Sequence, residues 1–186
     1  MNKENIFTQS ARELKNPRVL TACALLVALK LVLDALNIRV TITPSLRITF
    51  GFLANAMVGM LFGPVPAMLA GGAGDVIGYM LNSGGGAYFP GFTLTAILAG
   101  LVWGLSLYQK RVTFLRAILT KGFINLFLNI LLNSFWLKLL YNKGMWAELP
   151  LRIAKNITML PIEALLLVFM GGVVAQAYNR AKKGTS

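Results

Sequence analysis

Six long apolar stretches alternate with short polar or turn-forming breaks along the 186 residues. They cover about 18–36, 46–63, 65–81, 92–109, 116–140 and 152–177. Each is close to the roughly 20 residues that a helix needs to cross a hydrocarbon core. The breaks carry turn chemistry: Asn37 to Pro44, Gly63-Pro64-Val65-Pro66, Gly84 to Pro90, Gln109 to Arg111 and Tyr141 to Pro150. No stretch is left over for a soluble domain, a linker or a low-complexity segment. The pattern predicts an all-α membrane protein, a compact bundle of six transmembrane helices forming a single integral domain over residues 1–186.

Composition agrees with that pattern. The chain is 56% hydrophobic and 13% charged, against about 25% charged in an ordinary soluble domain. Met1 to Lys15 is polar and the first apolar segment is full length, so no cleavable signal is expected. Cys23 is the single cysteine, which excludes an intrachain disulfide. Histidine is absent, and with it the commonest metal ligand and general base.

The net charge of +12 raises a nucleic-acid reading. The cations flank apolar spans, however, and form no basic-aromatic face, so membrane topology accounts for them. With the N-terminus placed in the cytoplasm, eleven cations fall inside: Lys3, Arg12, Lys15, Arg18, Lys110, Arg111, Arg116, Lys121, Arg180, Lys182 and Lys183. Six fall outside: Arg39, Arg47, Lys138, Lys143, Arg152 and Lys155. The bias predicts cytoplasmic termini. The outer cations either meet an anionic ligand or anchor helix ends at the headgroups.

The stretch Gly71 to Gly91 is glycine-rich, but no Lys or Arg lies between Arg47 and Lys110. A phosphate-binding loop with a Gly-Lys-Ser/Thr end is therefore excluded, and Ile77 stands where a dinucleotide fingerprint needs its third glycine. The pairs Gly59/Gly63, Gly74/Gly78 and Gly100/Gly104 instead have the G-x-x-x-G spacing that lets membrane helices approach, within the bundle or with a partner. Ala24 and Ala28 have the same spacing.

Polar residues inside the spans mark candidate chemistry, because each is costly facing lipid. Asn125, Asn129 and Asn133 recur every four residues, and on a regular helix Trp136 falls about 20° from Asn125. This stripe faces either a neighbouring helix or a pocket. Arg152, Asn156 and Glu163 lie within about 40° of one another on the last span, with Glu163 deep enough to need a partner. Asp75 lies about two turns below the outer surface, at the depth of Lys30. It either pairs with Lys30 or reads a ligand with adjacent N–H donors from the floor of an outward-facing cavity. The flexible Gly84-Gly85-Gly86 followed by Tyr88-Phe89-Pro90 fits an aromatic lid or a headgroup anchor.

Four segments together resemble the substrate-binding S components of energy-coupling factor vitamin transporters, most closely the folate-specific type. They are Leu46-Arg47-Ile48-Thr49-Phe50-Gly51-Phe52-Leu53, Gly59-Met60-Leu61-Phe62-Gly63-Pro64, Gly74-Asp75-Val76-Ile77-Gly78 and Gly86-Ala87-Tyr88-Phe89-Pro90-Gly91-Phe92-Thr93. Ala24-Leu25-Leu26-Val27-Ala28 looks like the A-x-x-x-A motif with which such subunits meet their shared membrane partner. The resemblance covers the whole chain. It implies a multi-pass protein of the cell membrane that captures a vitamin from outside, has no cofactor of its own, and docks on one T subunit and two ATPase subunits that use ATP. It further implies release of the ligand inside after the subunit topples in the bilayer. For folate, Asp75 suits the pterin donors. Tyr88, Phe89, Phe92 and Trp136 suit its rings, and Arg47, Arg39 or Arg152 its carboxylates. Asn129, Asn133 and Asn156 complete the expected ligand site, and Ala24 and Ala28 the expected partner face.

Other vitamins remain open for such a subunit. A membrane enzyme would need a nucleophile or an acid/base set that the intramembrane residues do not offer. A self-contained carrier or channel would show internal repeats or a continuous polar path, and neither is evident.

Overall fold

The computed structural model describes residues 5–36, 39–43, 46–81, 88–141 and 149–183. Within these, the side chains of 39–43, 46–49, 141, 149, 151, 152, 179 and 181–183 lie outside the described set.

The N-terminal segment forms a short helix that the apolar pattern does not signal, α1 (Ile6–Glu13). Its Ser10 is fully buried beside the turn from Phe62 to Val65. The Ser10 hydroxyl donates to the Phe62 carbonyl at 2.9 Å and accepts from the Val65 amide at 3.0 Å. One side chain thus satisfies a helix end and a helix start together.

Helix α2 (Pro17–Ala35) starts where its sequence says it should. Asn16 caps it, accepting from the Arg18 amide at 3.0 Å, and Pro17 occupies the first turn. The stretch expected to open the second span is different. Residues 39–43 and 46–49 instead pair as antiparallel strands, β1 (Arg39–Thr43) and β2 (Leu46–Thr49), with Arg39 opposite Thr49 and Thr41 opposite Arg47. The alternation Arg-Val-Thr-Ile-Thr, Leu-Arg-Ile-Thr has a period of two and is rich in β-branched residues, which explains the correction. The helical part of that span is the short α3 (Gly51–Phe62).

Helices α4 (Pro64–Leu81) and α5 (Pro90–Leu107) follow the expected third and fourth spans. The fifth span is continuous but not uniform: α6 (Phe114–Phe123), a π-helical segment (Ile124–Leu132) and α7 (Asn133–Tyr141). The last is α8 (Leu149–Lys183), with Pro161 inside it. Among the described residues, Pro90–Leu107, Phe114–Leu140 and Ile153–Tyr178 are long and apolar enough to cross a membrane, and Gly51–Phe62 is a shorter apolar helix.

Glycines set the spacing of the central helices. A Cβ on Gly100 would strike the Ala67 carbonyl of α4, and one on Gly71 would come within 2.5 Å of the Ala96 carbonyl of α5. A Cβ on Gly59 would lie 2.8 Å from Trp103 Cβ, so α3 and α5 also pack backbone to backbone. Of the paired small residues, Gly59, Gly100 and Gly104 therefore serve contacts within the bundle, while Gly63 ends α3 at a positive φ of 90° that other residues rarely adopt. The larger core gathers Leu53, Met57, Trp103, Leu107, Ile124, Leu128 and Leu167 from α3, α5, the π segment and α8.

Candidate ligand-binding site

Asp75 sits on α4, half-buried, where Gly74 and Gly78 leave its helix bare toward α2. One carboxylate oxygen accepts a 2.7 Å hydrogen bond from the Thr93 hydroxyl of α5. Because Thr93 spends its proton there, the 2.8 Å contact between Thr93 Oγ1 and Tyr88 Oη runs the other way, with the tyrosine donating. The result is a directed relay, Tyr88 to Thr93 to Asp75, joining the start of α5 to α4. Sequence reasoning missed Thr93; the signal was its place one helical turn into α5, beside the aromatic cluster.

The alternative pairing of Asp75 with Lys30 does not form. Lys30 Nζ lies 3.0 Å from Asp34 Oδ2, its neighbour one turn along α2. That i, i+4 spacing is the ordinary helical ion pair. Lys30, Asp34, Gly74, Asp75, Gly78 and Tyr79 line a cavity of about 390 Å³ together with Tyr88, Phe89 and Phe92. This size is within the range for small-molecule sites. Four expected ligand residues, Asp75, Tyr88, Phe89 and Phe92, thus share one cavity. Tyr79 also packs on Tyr88, with ring centres 5.2 Å apart.

Trp136 reaches the same neighbourhood from the other side. Its indole N–H donates to Thr95 Oγ1 at 3.1 Å, and Thr95 donates in turn to the Gly91 carbonyl at 3.0 Å. Phe89 stands between Trp136, 5.6 Å away centre to centre, and Phe92, at 6.0 Å. Gly91 allows this approach, since a Cβ there would lie 2.6 Å from the indole.

The expected single stripe of Asn125, Asn129, Asn133 and Trp136 is split. The wider π-helical turns break the regular register. Trp136 faces α5, while Asn125 donates to Glu163 of α8 at 3.4 Å and Asn129 donates to Asn125 at 3.0 Å. Asn133 Oδ1 is buried without a hydrogen-bond partner. Lys121, expected on the cytoplasmic flank, is instead 4% exposed, 3.4 Å from Glu163 and 3.8 Å above the Phe52 ring. Glu163 therefore takes its partners from the fifth span, and Lys121 does not count toward the inner charge. Asn156 is half-buried on α8. The side chains of Arg39, Arg47 and Arg152, and the glycines 84–86, lie outside the described residues.

Ala24 and Ala28 lie elsewhere, on the exposed face of α2 beside Leu25 and Leu29. Two separate features are thus present: an aromatic and acidic cavity, and a small-residue face on the outside of the bundle. The sequence profile of the "ECF transporter, substrate-specific component" family matches residues 18–183. The chain belongs to this family of ECF S components. It is 37% identical over 155 residues to the folate transporter FolT of Clostridium novyi (strain NT), covering 83% of this chain and 88% of that one. It is 31% identical over 153 residues to the folate transporter FolT of Leuconostoc mesenteroides, covering 79% and 80%. The crystal structure of FolT bound with folic acid matches with a TM-score of 0.73 and 31% identity, over 84% of this S component and 94% of that chain. As an S component, the chain is a membrane-integral helical protein and the substrate-specific part of a transporter.

Proposed function

We propose that this S component binds folate, or a close pterin-containing relative, outside the cell and delivers it through a T subunit and two ATPase subunits. The observation that carries the reading is the likeness, along most of the chain, to FolT bound with folic acid. The cavity supports it chemically. Asp75 offers an acceptor to the adjacent N–H donors of a pterin, and Tyr88, Phe89, Phe92 and Trp136 offer faces to its rings. Asn129, Asn133 and Asn156 belong to the same site, and Arg47 and Arg152 serve the ligand's carboxylates. The chain acts by binding and not by catalysis, carries no cofactor, and leaves ATP to its partners. It is one multi-pass domain of the cell membrane over residues 1–186, with six spans and cytoplasmic termini.

Titration of the purified chain with folate, followed by quenching of intrinsic tryptophan fluorescence, tests this directly. Saturable quenching that is weakened in Trp136→Phe is expected. Saturable binding of riboflavin or thiamine without binding of folate would sink the assignment.

A further inference from the structure

The fifth span contains a polar chain whose direction is determined by its lower end. Glu163 is an acceptor and is paired with Lys121, which sits against the Phe52 ring. Asn125 can meet the carboxylate only with its amide N–H, because its oxygen would oppose another acceptor. The Asn125 oxygen is then turned toward Asn129, which must donate to it, as the 3.0 Å contact shows. Asn129 Oδ1 is left as an acceptor, and one turn further along Asn133 Oδ1 is enclosed without a donor. Buried acceptors without donors are rare in folded proteins. Here one such oxygen, that of Asn133 at the start of α7, directly follows a π-helical stretch that holds Asn125 and Asn129, a distortion common at functional sites.

We propose that the buried Lys121–Glu163 pair sets the polarity of the Asn125–Asn129 chain, so that Asn129 and Asn133 present carbonyl oxygens that select ligand N–H donors. Lys121 and Glu163 are positioning residues; they act through the amides. The inference rests on the functional reading above, which places Asn129 and Asn133 at the ligand. It goes further by naming what reads the ligand's donors besides Asp75, and what orients that reader.

The test compares folate with two analogues that each lack one N–H group, 2-desamino-2-methylfolate and 10-deazafolate. Lys121→Met combined with Glu163→Leu removes both charges and leaves no lone ion in the core. The unaltered chain should discriminate against at least one analogue by about tenfold or more, as sites built around a hydrogen bond do. In the double variant that ratio should fall below about threefold, because the amides are free to turn. A variant that keeps the full ratio, or loses affinity equally for all three ligands, would overturn the proposal; so would an unaltered chain that discriminates against neither analogue. If the double variant does not fold, a folate-bound structure of the unaltered chain decides. Asn129 or Asn133 Oδ1 should lie within about 3.2 Å of a ligand nitrogen, and both lying farther away would overturn the inference. Failure of the unaltered chain to bind folate removes the functional reading itself, and this inference with it. Retained folate binding with unchanged ratios removes the inference alone.

Discussion

Asp75 and Lys30 were equally plausible partners by depth, yet helix α2 supplies Lys30 with Asp34 one turn away, 3.0 Å from its ammonium. That local pair was readable from an i, i+4 spacing. What the sequence could not supply was the Thr93 bond to Asp75, which joins residues 18 apart on two helices. With Lys30 already paired, Asp75→Asn leaves no orphaned cation behind. It should therefore report on ligand contact more than on folding. A charged hydrogen bond is worth about 1.5–3 kcal/mol, so calorimetric titration should show folate affinity falling at least about tenfold, with the unfolding temperature nearly unchanged. Unaltered affinity would make Asp75 a structural residue. Thr93→Val keeps the carboxylate and cuts the relay to Tyr88, and its loss of affinity should be smaller than that of Asp75→Asn.

At the scale of elements, the close contacts of α3, α4 and α5 depend on missing side chains. Gly100 faces the Ala67 carbonyl, whereas Gly172 of α8 has nothing within 4 Å of a built Cβ. Alanine is the better helix former at both positions. Gly100→Ala should nonetheless destabilise the protein by about 1–3 kcal/mol through overpacking, while Gly172→Ala should leave stability unchanged or slightly raised. Denaturant unfolding of the detergent-solubilised chain distinguishes them, and equal effects would remove the packing argument. The G-x-x-x-G spacing was legible as close packing, but not which helix each glycine meets. The β1–β2 pair was legible too, in its period-two alternation, though its apolar run reads as the start of a span. The π-helical turns carry no such signature. They leave the spacing of the asparagines intact and change only which neighbour each one faces.

For the whole molecule, the small-residue face proposed for docking and the cavity proposed for the ligand lie on separate surfaces of the bundle. Ala24 and Ala28 are exposed on α2, while the cavity lies between α2, α4 and the start of α5. Small residues let a partner helix come close, and bulky ones hold it off. Ala24→Trp with Ala28→Trp should leave folate binding by the isolated subunit within about twofold, since neither alanine lines the cavity. The same variant should lose co-purification with the T subunit and ATP-dependent uptake in proteoliposomes. Lost ligand binding would move this face into the site, and normal uptake would exclude it from docking.

The sequence by itself determined the class of this protein: apolar runs of spanning length, turn-forming breaks between them, and small-residue pairs. These are local properties, set by hydropathy, turn chemistry and steric size over a few neighbouring residues. It also brought Asp75, Tyr88, Phe89 and Phe92 into view, because an acid and a glycine-aromatic break stand out in apolar surroundings. Only the tertiary structure decided the partners. Lys121 looks like a flanking cation until α8 brings Glu163 against it, 42 positions along the chain and 3.4 Å away in space. Trp136 looks like the end of an asparagine stripe until the π-helical turns deliver it to Thr95. Burial and hydrogen-bond choice depend on which helices become neighbours, and periodicity within one span carries no information about that.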